Sequence, residues 1–101
     1  MRVYSGSRTI DGIVVSVDGK PLDGRYGLKR FTTTGFEWTY EGAGPAQLAL
    51  AVLADHLDDD AKALDLCQDF MRAVVANLEN DWELTGDDID RALDALGRTI
   101  C

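Results

Sequence analysis

Residues 46–54 read Ala-Gln-Leu-Ala-Leu-Ala-Val-Leu-Ala, nine positions with one polar side chain. A helix apolar on every side has no face to give to water, so it has to be enclosed by other elements. The stretch is far shorter than the roughly 18 apolar residues that read as a membrane span. Its expected place is the centre of a small domain. Ala46, Ala49, Ala51 and Ala54 leave room for a sheet and a second helix to approach closely. Pro45 fits a first helical position, and Gly42 and Gly44 let the chain reverse into the helix.

With 101 residues, 46% of them hydrophobic, the chain has material for one core. It reads as a single domain, residues 1–101, with a strand-rich part at 1–40 and a helical, acidic part at 44–101. An early strand covers residues 2–5. Ile13, Val15 and Val17 alternate in a β-branched run, and Asp18-Gly19 after it is a strong tight-turn signal. Pro21 confines the returning segment to a short strand or a sheet edge. Residues 23–27, Asp-Gly-Arg-Tyr-Gly, form a loop. Phe36, Trp38 and Tyr40 then alternate with Glu37 and Thr39, which predicts a half-buried strand with three rings on one face.

The helix after Gly44 ends near Asp58-Asp59-Asp60, which offers N-caps for a second helix over 60–78. Ala63, Leu66, Cys67, Phe70, Met71, Val74 and Leu78 form its apolar stripe. Residues 82–84 suggest one more short strand. Thr85-Gly86-Asp87-Asp88 resembles a capping box with Asp in place of Glu. It opens a last helix with Ile89, Ala92, Leu93 and Leu96 on one face and Asp87, Asp90 and Asp94 on the other. Strands followed by helices predict an α+β fold. The expected architecture is a small antiparallel sheet of three to four short strands on a buried central helix, with two further helices.

The net charge of −8 is unevenly spread: residues 1–40 hold six basic and four acidic side chains, residues 41–101 four and fourteen. Such a balance opposes general binding to a nucleic-acid backbone and suits a cationic partner. Two surfaces stand out. Asp58, Asp59, Asp60, Asp65, Asp69, Asp87, Asp90 and Asp94 could form a broad negative face able to occupy a basic groove of another protein, its carboxylates substituting for phosphates. Arg25, Tyr26, Lys29 and Arg30, next to Phe31, interleave cations with rings, a pattern that suits phosphates and stacked bases.

Other motifs carry less chemistry. Gly42-x-Gly44 before a helix resembles an anion cradle, but Gln47 stands where a dinucleotide fingerprint needs its third glycine, and no Gly-Lys-Ser/Thr follows. Asp55-His56-x-Asp58-Asp59-Asp60 lacks the glycine and glutamate spacing of a calcium loop and the further Cys or His of a zinc site. His56 is the sole histidine, and no nucleophile elbow or triad can be assembled around it. No cofactor and no metal are expected, and the chain does not read as an enzyme. Cys67 reads as a buried small hydrophobe and Cys101 as a terminal thiol, so neither builds a disulfide framework. No signal peptide or membrane span is read, which makes the cytoplasm the expected compartment.

Gly35-Phe36-Glu37-Trp38, the turn and helix from Gly42 to Ala51, and Leu53-Ala54-Asp55-His56-Leu57 resemble the core of an uncharacterised family of small proteins, a domain of unknown function found in bacterial, phage and plasmid genomes. The likeness extends more loosely to Tyr4, Asp18-Gly19, Gln68-Asp69-Phe70 and the segment around Trp82. It implies mobile-element company and carries no established site residue. With the acidic surface, it makes a non-enzymatic interaction protein the leading expectation. Such a protein would inhibit a host nucleic-acid-handling defence complex, as anti-CRISPR and anti-restriction proteins do. The alternative is a nucleic-acid or nucleotide-binding accessory domain that uses the 25–31 loop.

Overall fold

The computed structural model describes residues 2–32 and 35–100. β1 (Val3–Thr9) and β2 (Gly12–Val17) pair antiparallel. Thr9 fastens the turn between them: its hydroxyl donates to the Gly12 carbonyl at 2.8 Å and accepts the Asp11 N–H at 3.2 Å. Asp18 and Gly19 have φ of 51° and 82°, the pair of positive values that a tight two-residue hairpin demands. They lead into β3 (Lys20–Pro21), an edge strand only two residues long, because Pro21 has no N–H with which to extend a ladder. The fourth strand, β4 (Trp82–Thr85), pairs antiparallel with β1 and completes the order β3-β2-β1-β4.

Paired residues share a face of a sheet, so register sets the core side. Tyr4 lies between Val17 and Leu84, and Gly6 between Val15 and Trp82. The absence of a side chain at Gly6 is what admits the Trp82 indole, since a methyl built there would overlap the ring.

Against this side lies α1 (Ala43–Leu57), buried without interruption from Gly44 to Ala54. The expected enclosure of an all-apolar helix holds. Pro45 is its third residue rather than its first. This remains harmless, because N–H groups of the first turn have no partner within the helix. Gly44 is buried against Glu37, whose Cβ would stand 2.7 Å from an added methyl. The glycine therefore serves close packing.

α1 ends at Asp58, which is left-handed with φ 53°. This conformation costs an L-residue side chain energy that glycine does not incur. Asp58→Gly is expected to stabilise the fold by about 0.5–1 kcal/mol, read as a higher urea midpoint at unchanged m-value.

α2 (Asp60–Ala73) follows at once, its first turn capped by the Asp59 carboxylate, which accepts the Lys62 N–H at 3.1 Å. It is five residues shorter than its apolar stripe predicts. The Asn77 amide donates to the carbonyls of Ala73 and Arg72 at 3.1 and 3.4 Å, and residues Val75–Asn77 tighten into a 3₁₀ turn. α3 (Gly86–Ile100) starts at the expected capping box. Asp88 N–H donates to Thr85 Oγ1 at 3.2 Å, and Thr85 N–H to Asp88 Oδ2 at 3.0 Å.

Residues 36–40 correct the sequence reading. They form no strand: Thr39 has φ 81°, outside any extended conformation, and its N–H donates to the Val75 carbonyl at 3.2 Å. The three rings part company. Trp38 is fully buried, Phe36 packs partly against the core and Tyr40 is half exposed. β4, from the far end of the chain, occupies the sheet position instead. Cys67 is buried, as expected; Cys101 lies outside the described residues.

Candidate functional site

The acidic residues divide according to the helices that carry them. Asp58, Asp59 and Asp60 make the connection between α1 and α2, where Asp59 is occupied as a cap. On α3, Asp87, Asp90 and Asp94 are spaced three and four apart and so lie along one side of the helix. His56, in the last turn of α1, brings the two groups together: its Nε2 is 2.7 Å from Asp90 Oδ1. The imidazole is largely covered, whereas the Asp90 side chain is 64% exposed, so the contact ties α3 to α1 and leaves the carboxylate at the surface.

Asp65 is exposed midway along α2. Asp69 sits near the other end of that helix, 3.6 Å from Arg72 Nη1, and Arg72 Nε is 3.6 Å from Glu41 before α1. The structure therefore brings Asp90 of α3 against His56, two residues before the Asp58–Asp60 connection, and sets Asp69 beside Arg72 near the other end of α2. Asp58, Asp60, Asp65 and Asp87 form no ion pair among the described residues.

Next to His56, Asp55 serves the interior side. Tyr4 Oη donates to Asp55 Oδ2 at 2.6 Å. Arg2 Nη1 is 2.6 Å and Arg25 Nη2 3.8 Å from Asp55 Oδ1. Burial pushes the Asp55 carboxyl up, but the hydrogen bonds from Arg2 and Tyr4 and the charges of Arg2 and Arg25 outweigh it, and the net shift is downward. Burial, and then the bond to Asp55, hold the Tyr4 phenol well above its ordinary value. Asp88 is also lowered, chiefly by the Thr85 backbone N–H.

A carboxyl with a lowered folded-state pKa contributes stability above its unfolded pKa, near 3.9, and loses it as pH falls through the folded value. A raised phenol contributes below its unfolded pKa, near 10, and loses that contribution as pH rises. The urea midpoint is accordingly expected to fall below about pH 4 and above about pH 10. Asp55→Asn should flatten the acid limb, and Tyr4→Phe the alkaline one.

Gln47 is the single polar side chain in the buried run of α1, and it is fully buried. Its Oε1 accepts the Phe31 N–H at 2.7 Å, and its Nε2 donates to the carbonyls of Gly24 and Lys29 at 2.7 and 3.1 Å. One amide thus anchors the whole 24–31 loop. On that loop Arg30 stacks 4.4 Å from the Tyr26 ring centroid, and Lys29 5.1 Å from that of Phe31. Arg25 turns inward to Asp55 and keeps a buried Nε without a partner. Sequence reasoning saw these cations but missed the roles of Gln47 and Asp55. Gln47 alone left a signal, as the one polar residue in an otherwise apolar helix.

The model of a family of unknown function, DUF6166, matches residues 4–95, nearly the whole chain. The chain belongs to the family of unknown function DUF6166. No curated protein and no solved structure matches it. In this DUF6166 chain the matched span contains Asp55, Gln47, the 24–31 loop and all eight aspartates of the predicted surface. Among the described residues no group of three or more His, Cys, Asp or Glu could hold a metal ion, and no helix is long and apolar enough to cross a membrane.

Proposed function

We propose that this DUF6166 protein is a non-enzymatic interaction protein of mobile genetic elements. It inhibits a host nucleic-acid-handling defence complex, of the CRISPR or restriction type, by placing carboxylates in a basic groove. The observation that carries this reading is the His56–Asp90 contact. It ties the last turn of α1, just before Asp58, Asp59 and Asp60, to α3 at Asp90, which supports carboxylates 27 to 36 residues apart in sequence acting on one partner. Asp58, Asp60 and Asp87 carry no internal ion pair among the described residues, so a partner's Arg or Lys need not displace one. The mobile-element setting is supported by the resemblance to proteins of phage and plasmid genomes.

The test is a DNA-cleavage assay with purified CRISPR and restriction complexes of the host. Wild type should inhibit. D87K/D90K/D94K should lose inhibition by about 100-fold or more, given the few kcal/mol that like-charge contacts cost at an interface. D60K/D87K leaves the His56–Asp90 contact in place and should lose inhibition in the same direction, which separates charge from any loosening of α3. Inhibition surviving both sets of changes, with folding intact by circular dichroism, overturns the reading.

A further inference from the structure

The 24–31 loop combines features that the acidic-surface reading does not use. Lys29 and Arg30 are both exposed and have no carboxylate partner among the described residues, although the chain holds eighteen acidic side chains against ten Lys and Arg. Arg2, Arg8, Arg72 and Arg91 are each within 4 Å of a carboxylate.

The loop is also ordered in advance. Gln47 holds it at Gly24, Lys29 and Phe31, and the N–H of Leu28 donates back to the Arg25 carbonyl at 3.0 Å. Arg25 is left-handed with φ 57°, a conformation that persists only where the surroundings dictate it. Gly24 lacks a side chain where Tyr26 folds back over it. The Tyr26 ring covers one face of the Arg30 guanidinium and leaves the N–H groups at its edge unspent, and the Lys29 ammonium lies over the Phe31 ring with its N–H groups free to point outward. Two such cations, held in place before binding, suit a tetrahedral oxyanion, because little side-chain freedom remains to be lost.

We propose that Lys29 and Arg30 form a binding strip for a phosphate group. The carboxylates on the loop and at its Arg25 contact are already engaged. Asp23 Oδ1 accepts the Arg25 N–H at 3.0 Å, and Asp55 is held by Arg2 and Tyr4. More distant carboxylates are screened beyond about 8 Å at physiological salt, so a single phosphate group meets the local positive charge rather than the net charge of the chain.

Two sources present this chemistry, an isolated phosphate and the phosphodiester backbone of a single strand. The experiment is a ¹H–¹⁵N chemical-shift titration of the full chain with inorganic phosphate and, in parallel, with pentathymidylate. Saturable shifts confined to residues 24–31 are expected, with at least tenfold loss of response in K29Q/R30Q. Half-saturation at the same phosphate concentration for both probes points to an isolated phosphate, and a tenfold lower concentration for the oligonucleotide points to the backbone. Either result upholds the strip. Shifts reproduced by sodium chloride at matched ionic strength, or unchanged in K29Q/R30Q, overturn it. K29Q/R30Q leaves every aspartate in place, so inhibition of a defence complex should be unaffected, and the two proposals fail separately.

Discussion

Replacing Gln47 with leucine is expected to destabilise the protein by about 4 kcal/mol, although leucine is the better residue for an apolar helix. The side chain sits in the middle of α1 with no exposed surface, so a transfer argument alone favours the substitution. The loop decides against it. Leucine leaves the Phe31 N–H and the carbonyls of Gly24 and Lys29 without their present partner. A buried polar group left unmade costs about 1–3 kcal/mol, and three of them outweigh the gain from one apolar side chain.

In a domain of this size the loss removes a large fraction of a typical total of 5–15 kcal/mol. It should lower Tm by roughly 15–25 °C. Thermal and urea unfolding of Q47L measure it. A change below about 1 kcal/mol would mean that the loop re-forms its hydrogen bonds with water and is not anchored by this amide. Hydrogen exchange at Phe31 distinguishes the cases, because its N–H should lose protection in the variant even where global stability is only partly reduced.

The helices were legible in the sequence because their signals are local. An apolar run without a polar face, a stripe at helical spacing and a Thr-x-x-Asp box each specify their element within a few residues. α1 and α3 follow them closely. The Asp18-Gly19 turn is of the same kind, since two positive φ values are the requirement that this dipeptide meets most cheaply.

The sheet was less legible because strand pairing is non-local. Phe36, Trp38 and Tyr40 have the alternation of a strand, yet alternation states only that a side could be buried. Whether a ladder forms depends on a neighbour with free N–H and C=O groups. On that side of β1 the neighbour is Trp82–Thr85, some eighty residues downstream. The same holds for the candidate sites. Eight aspartates can be counted from sequence, but only the fold brings Asp90 against His56, 34 residues away. The Asp55 cluster joins β1, α1 and the 24–31 loop across separations of up to 53 residues, which no local spacing rule detects.

Trp38→Ala is expected to cost about 3–5 kcal/mol, the range for emptying a large buried ring site. Trp38 has no exposed surface, and it links three parts of the fold. Its ring meets Trp82 edge-on, with centroids 5.7 Å apart and planes at 81°. The Arg8 guanidinium lies 4.8 Å from the Trp38 ring. The same guanidinium donates from Nη2 to Glu37 Oε1 at 2.8 Å and to the Trp38 carbonyl at 3.1 Å, which holds residues 37–38 on the β1–β2 hairpin. Removing the indole therefore opens a cavity beside Trp82 and takes the stacking surface from Arg8.

Phenylalanine should cost much less, about 1–2 kcal/mol. It keeps a ring for both neighbours, and it removes an indole N–H that is buried without an acceptor, which offsets part of the lost volume. A double-mutant cycle between Arg8→Met and Trp38→Phe should show coupling below about 0.5 kcal/mol, and one between Arg8→Met and Trp38→Ala about 1 kcal/mol, because only alanine removes the face on which the cation stacks. Equal losses for Trp38→Ala and Trp38→Phe would show that an aromatic face is not what holds residues 37–38 to the sheet. The indole N–H would then have to be reassigned to a hydrogen-bonding partner in solution.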